Sequence, residues 1–388
     1  MKAFVLVNAG AGILWQVLEA VPKVEGVKTA CGVTGQFDAV VLTQFSDLDV
    51  MGKMIEKIHH AKGVLRTQTL LTIPPPVRTK SMMPSVSEEG AECVRHFEPG
   101  MNEARKISII IPCYNGADTI GHQLEAIGRQ QSSWPCEVIV SDNGSTDGSI
   151  DVVKRLCGAF PGLIRIVNSS DRKGVGHARN AGALAAAGQY LAFVDQDDEV
   201  GDGWLSAIGD ALSRHDFVGC TIDYQKLNEP WLQKIRGGGR SHGLSSGADY
   251  GPGLPWAFAC TIGVKRSIHF AVGGWDERFV GGEDYCWRIQ LAGTPLYFAR
   301  EAVLHYRYRT TILELWRQAR LWGTDEVLIY KKWRGKHSSL LSLAGWIIHL
   351  LRFPRSVWSR IAFGKWMWLT GFKIGYLEGS IKYRVLCI

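Results

Sequence analysis

The chain has 388 residues, 46% apolar and 21% charged, which is enough for two or three domains with their own cores. Lys and Arg total 44 against 37 Asp and Glu; the +7 that results is too modest for a histone-like nucleic-acid binder. Nine scattered cysteines with no Cys-x-x-Cys pair argue against a zinc site or a disulfide framework; the N-terminal apolar run is too short for a signal peptide core and no segment has the length of a membrane span, so a cytoplasmic protein is expected.

Taken in chain order, residues 3–7 are β-rich, and residues 13–21 carry helical spacing through Ile13, Val17, Leu18 and Val21. Residues 27–33 and 37–43 read as strands around Thr34-Gly35-Gln36. Residues 48–58 are again helical in spacing, and 64–73 are strand-like. The order βαββαβ predicts a small ferredoxin-like α+β domain over 1–73. Residues 74–106 open with three prolines and show no period, which predicts a linker.

From residue 107 the pattern becomes strand, polar loop, helix, repeated. Apolar runs at 107–111, 138–140, 164–167 and 191–194 alternate with helical stretches at 117–129, 149–160 and 176–187. That alternation predicts a parallel α/β sheet whose ligands bind at the carboxyl ends of its strands. Beyond residue 310 the chain reads as helical, aromatic and basic. Residues 327–388 hold eleven Lys and Arg and one acid, Glu378, so the remainder is slightly acidic. The surplus charge belongs to a tail over 311–388.

Each informative motif falls at a strand end. The first strand runs into Pro112, Tyr114 and Asn115, and the second into Asp142-Asn143-Gly144, where capping explains Ser145–Asp147 but not Asp142. Residues 174–188 form a Gly-opened helix bearing Arg179, a weak match to a phosphate cradle. Asp195, Asp197 and Asp198 lie within four residues after an apolar strand. Such crowded carboxylates repel unless a cation sits among them, and hard oxygens suit Mn2+ or Mg2+. Glu283 and Asp284 follow Gly281-Gly282 and open a helix, where one of them is placed to act as a general base; acids favoured by the helix dipole are the rival reading.

In this order and spacing the motifs resemble a family 2 glycosyltransferase of the GT-A fold, over residues 107 to about 334. The resemblance implies an α/β nucleotide-sugar-binding domain at 107–310. The donor would be held by Pro112, Tyr114, Asn115, Asp142, Asn143, Arg179 and Asp195, with Asp142 on the nucleotide base. A divalent metal, Mn2+ or Mg2+, would sit on Asp195 and Asp197, completed by His305. Asp284 would be the catalytic base and Glu283 would position the acceptor. Asn143 stands where many members carry an acid, which blurs nucleotide choice. Gln318-Ala319-Arg320-Leu321-Trp322 departs from the Gln-x-x-Arg-Trp of processive synthases, favouring transfer of a single sugar to a glycan or lipid-linked acceptor in cell-envelope or exopolysaccharide synthesis.

Residues 1–73, through 33–38 and 63–71, are similar to the ligand-binding domain of Lrp/AsnC-type regulators, which implies a homodimer and leaves open whether an amino acid binds. The chain opens on this domain's first strand, so no DNA-binding segment and no nucleic-acid partner are expected. The basic, Trp-containing tail predicts peripheral docking on the inner leaflet of a membrane; a plain helical cap on the catalytic domain is its rival. Two other classes stay open on the residues alone: an amino-acid-responsive regulator with an inactive transferase domain, and a nucleotidyltransferase.

Overall fold

The computed structural model describes residues 2–9, 14–32, 39–44, 48–61, 64–72, 106–158, 160, 162–241, 244–245, 251–333 and 343–385. They fall into two compact units, one within 1–90 and one within 91–388. The expected turn at 34–36, and all of the expected linker except Lys106, lie outside the described residues.

The first unit follows the expected order: β1 (Lys2–Ala9), α1 (Leu14–Ala20), β2 (Val27–Gly32), β3 (Ala39–Gln44), α2 (Leu48–His59) and β4 (Val64–Thr72). Its sheet runs β2-β3-β1-β4 with every pair antiparallel, the ferredoxin-like arrangement. Period-two alternation turns Ala39, Val41 and Thr43 inward on β3. Met54 and Ile58, one turn apart on α2, close the core with Val5, Val7 and Val41.

The second unit begins with β5 (Ile107–Cys113), α3 (Ile120–Gly128), β6 (Cys136–Asp142), α4 (Ser149–Cys157), β7 (Leu163–Asn168), α5 (Val175–Ala185) and β8 (Tyr190–Phe193). It continues through β9 (Glu199–Val200), α6 (Trp204–Leu212), β10 (Phe217–Asp223), α7 (Pro230–Arg236), β11 (Arg240–Ser241), β12 (Leu244–Ser245), β13 (Trp256–Ala257), β14 (Ile262–Lys265), α8 (Arg266–Ala271), α9 (Glu283–Leu291) and β15 (Tyr297–His305). The main sheet has the order β7-β6-β5-β8-β14-β10-β15-β9. β5 and β6 are buried along almost their whole length, as strands covered on both faces must be. The sheet is mixed and not wholly parallel: β14 runs antiparallel to both β8 and β10. It enters from the short 3-10 turn Ala259–Thr261, with no helical crossover to return the chain in the parallel sense.

Four helices end the chain: α10 (Ile312–Trp333), α11 (Leu343–Leu351), α12 (Phe353–Ser356) and α13 (Arg360–Tyr383). α13 lies along α10 in the same direction, because Gly371 faces Trp316 and Ala319, Gly375 faces Arg320, and Gly379 faces Val327. The tail is therefore divided. α13 caps the second unit and buries Tyr376, whereas α11 and α12 leave Leu351, Val357 and Trp358 exposed. None of the described helices is long and apolar enough to cross a membrane.

Candidate active site

The strand ends open on a cavity of about 1280 Å³ whose far wall is α10 and α13. The end of β5 lines it with Pro112, and the loop that follows with Tyr114. Gln196 fixes this loop at both backbone groups of Tyr114: its Oε1 accepts from the N–H (2.9 Å), and its Nε2 donates to the carbonyl (3.0 Å). Asn115 takes a left-handed backbone (φ 48), and its Oδ1 accepts from the Thr146 N–H at 2.8 Å. It thereby joins the first two loops without itself lining the cavity.

At the end of β6 the two predicted residues separate. Asp142 spends Oδ1 on the Ser145 N–H (3.0 Å) and does not line the cavity. Asn143 does line it. It is buried, donates Nδ2 to the carbonyls of Ser169 (2.5 Å) and Arg172 (2.8 Å), and accepts from the Gly174 N–H at 2.9 Å. An amide meets this demand for two donors and one acceptor, whereas a carboxylate has no donor to offer. Lys173, fixed by the Asn143 carbonyl (2.7 Å), lies 4.5 Å from the centre of the Tyr114 ring. Together they form a cationic and aromatic wall.

The carboxylates after β8 each meet a different partner. Asp195 accepts from the buried Arg179 (Nη2 to Oδ1, 2.9 Å), whose guanidinium stacks on Trp275. Asp197 Oδ2 pairs with Arg309 at 2.8 Å. Asp198 is buried: Oδ1 accepts from the Arg307 N–H (2.9 Å), and Oδ2 has no N–H or O–H donor. Burial holds the Asp198 carboxyl well above the usual carboxylate range, and the charges of Asp197 and Asp195 push it further; burial also raises Asp197. Among the described residues, Asp195, Asp198 and Cys260 bring ligand atoms within 4.8 Å of one another. Burial keeps the Cys260 thiol protonated, which makes it a poor partner for a hard cation.

Two more of the predicted residues stand apart from the cavity. His305 does not join the carboxylates: its Nδ1 is held by Asp223 Oδ2 at 2.8 Å, and it does not line the cavity. The same segment contributes Arg309 instead. Nor does Asp284 open to the cavity. It is 2% exposed, with Oδ2 on Arg288 (2.8 Å) and Oδ1 on Lys332 (2.5 Å) and Trp333 (3.0 Å). The reason is helical: α9 begins at Glu283, so the two neighbouring acids diverge by about 100° around its axis. Glu283 is the one that lines the cavity.

Other lining groups carry no motif. Asp325 on α10 accepts from the N–H groups of Val280 and Gly281, each at 3.2 Å, and so fixes the loop that delivers Glu283. Burial pushes its carboxyl up to about 6, with Asp284 and Asp276 adding to the shift. Arg236, Trp322 and Trp368 complete the far end.

Residues 108–269 match the model of glycosyl transferase family 2, and residues 2–82 match that of the Lrp/AsnC ligand binding domain. The chain is 29% identical over 236 residues to an uncharacterized glycosyltransferase, YibD, of Escherichia coli; the match covers 56% of this chain and 66%, just under two thirds, of that protein. It is 27% identical over 249 residues to the glycosyltransferase AglE of Haloferax volcanii, covering 62% of this chain and 80% of AglE. Among solved structures, a mannosyltransferase from Pyrobaculum calidifontis, in complex with GDP-Man and Mn2+, superimposes with a TM-score of 0.50 at 17% identity, over 70% of this chain and 86% of that one. That likeness is one of fold.

Proposed function

From a chain whose residues 108–269 match the model of glycosyl transferase family 2, we propose a transferase that moves a single sugar from a nucleotide-sugar donor to an acceptor hydroxyl, with inversion at the anomeric carbon. The observation that carries this reading is the convergence on one cavity of Asp195 and Asp197, from the loop after β8, and Glu283, from α9. The donor's nucleotide lies against Pro112, Tyr114, Lys173 and Asn143. Asp142 and Asn115 brace the loops behind it. Arg179, next to Asp195, is placed to meet the diphosphate.

The residues present fit a divalent cation, because the buried Asp198 Oδ2, which has no N–H or O–H donor and only the Cys260 thiol for company, stands beside Asp195. Asp195, Asp197 and Asp198 would hold Mn2+ or Mg2+. Such an ion, when bound, offsets charge growing on the leaving diphosphate. Glu283 takes the proton from the acceptor hydroxyl as that oxygen attacks the anomeric carbon and the nucleoside diphosphate departs. Asp284 positions this apparatus by tying α9 to Lys332 and Trp333 on α10.

The test is turnover across a panel of nucleotide sugars with Mn2+ or Mg2+, in wild type, Glu283→Gln and Asp284→Asn. The expected result is loss of at least a thousandfold in kcat for Glu283→Gln with donor affinity retained. Asp284→Asn is expected to lose stability and only part of its turnover. Wild-type turnover in Glu283→Gln would return the base role to Asp284; no turnover of any donor by wild type would remove the transferase reading.

The reading also includes docking at a membrane surface through α11 and α12. Support comes from Leu350, Leu351, Val357 and Trp358, all more than half exposed, with Arg352 and Arg355 between them and no acid from residue 327 to 377.

A further inference from the structure

Four arginines line the cavity, and two of them, Arg236 and the exposed Arg317, have no ion pair among the described residues. Arg179 has Asp195 and Arg309 has Asp197. Arg236, the last residue of α7, has no carboxylate within ion-pair distance among the described residues, and its Nε is buried with no hydrogen-bond partner. Three aromatic rings surround its guanidinium. The carbon at its centre lies 3.3 Å from the ring centre of Trp368, 5.3 Å from Trp322 and 5.5 Å from Tyr308.

Such a cage offsets part of the cost of withdrawing a cation partly from water. The rings supply no counter-charge, which an anion bound beside the guanidinium would provide. The acids on the same wall do not supply the balance. Glu314 accepts from Thr310 and Thr311, Asp325 from the 280–281 amides, and Glu326 from the Tyr376 hydroxyl. Arg317, exposed on α10, adds a second cation to the same wall.

We propose that Arg236 receives the oxyanion of a phosphate-bearing acceptor, with Trp322 and Trp368 flanking the group next to the phosphate. The inference rests on the transferase reading for the word acceptor, but the phosphate subsite is defined by its own residues. A planar guanidinium with free N–H groups matches two phosphate oxygens at once. The phosphate belongs either to a lipid-linked carrier or to a soluble sugar phosphate; both present the same oxyanion.

The experiment uses the full chain saturated with a nucleoside diphosphate, so that the donor half of the cavity is filled. Calorimetry then measures binding of farnesyl phosphate in detergent, of glucose 6-phosphate, and of uncharged octyl glucoside as control. Wild type is expected to bind at least one phosphate probe ten times more tightly than Arg236→Met does, with Arg236→Lys between them and octyl glucoside indifferent to the substitution. Binding of farnesyl phosphate alone identifies a lipid source, and of glucose 6-phosphate alone a soluble one. Nucleoside diphosphate affinity and melting temperature report whether Arg236→Met is folded. If it is not, Arg236→Lys against wild type carries the comparison. Equal affinity of folded variants and wild type for both probes, or no binding of either probe by wild type, overturns the proposal. Failure of the transferase reading is seen separately, as absence of nucleotide-sugar turnover or of nucleoside diphosphate binding.

Discussion

Asp198 carries a buried carboxylate beside two others, and only one of its oxygens has an N–H donor. In the metal-free protein this arrangement costs stability, because burial and the charges of Asp197 and Asp195 all oppose ionisation. Asp198→Asn keeps the shape and removes the charge. The variant is expected to melt above wild type in EDTA and to lose the stabilisation that Mn2+ gives wild type, which is about 2.7 kcal/mol at a hundred times the dissociation constant. Thermal melts of both proteins with and without Mn2+ check the two signs together. An unchanged Mn2+ shift in the variant would move the ion away from Asp198. This cluster was legible in the sequence because three acids in four residues follow an apolar strand. Arg236 was not, since a lone arginine at the end of a short helix has no pattern; Trp322 and Trp368, which give it meaning, lie on helices much later in the chain. His305 stands apart from the cavity for a related reason. Its segment reaches the cavity, but Asp223 on the neighbouring strand claims the imidazole, and Arg309 arrives in its place.

At the scale of elements, the αβ alternation and the βαββαβ unit could be read from period alone, whereas the pairing of α10 with α13 could not. α13 has no continuous apolar stripe. Its contact face is instead built from Gly371, Gly375 and Gly379, four residues apart, which let the helix backbones meet. A Cβ at Gly375 would fall on the Arg320 carbonyl oxygen, which has nowhere to retreat inside a helix. Gly375→Ala is therefore expected to lower the stability of the second unit by about 2 kcal/mol through overpacking, outweighing the ~1 kcal/mol that Ala gains over Gly in a helix. Gly52→Ala on α2 is the control, with nothing within 4 Å of its Cβ, and should stabilise the first unit. Urea titrations of the three proteins test this. If Gly375→Ala is neutral, α13 can shift away from α10. The same close approach sets the wall of the cavity, so a shift there also moves Trp322 and Trp368 and weakens acceptor binding before donor binding.

For the whole molecule, the +7 is a sum over unlike regions: the surplus is carried by residues 327–388, and the rest is slightly acidic. Sequence spacing suggested one basic membrane-facing tail, because it shows composition without showing which faces are covered. The structure separates two roles within it. On α13, Lys373 is buried over Trp346 and Glu378 pairs with Arg320, so this helix is committed to packing. On α11 and just after α12 large apolar side chains point outward, with Leu351 72% and Trp358 86% exposed. Each would contribute about 2 kcal/mol on entering an acyl boundary, and Arg352 and Arg355 about 1 kcal/mol each near anionic lipid. Co-flotation of the full chain with vesicles of one third phosphatidylglycerol is therefore expected, with weaker recovery on neutral phosphatidylcholine. Leu351→Ser with Trp358→Ser should abolish flotation on both. Arg352→Gln with Arg355→Gln should remove only the part that 0.5 M salt also removes, since screening reaches the charges and leaves apolar burial intact. Flotation unchanged by the Ser pair would transfer the docking role to another surface. Flotation of neither vesicle by wild type would remove the membrane-docking reading.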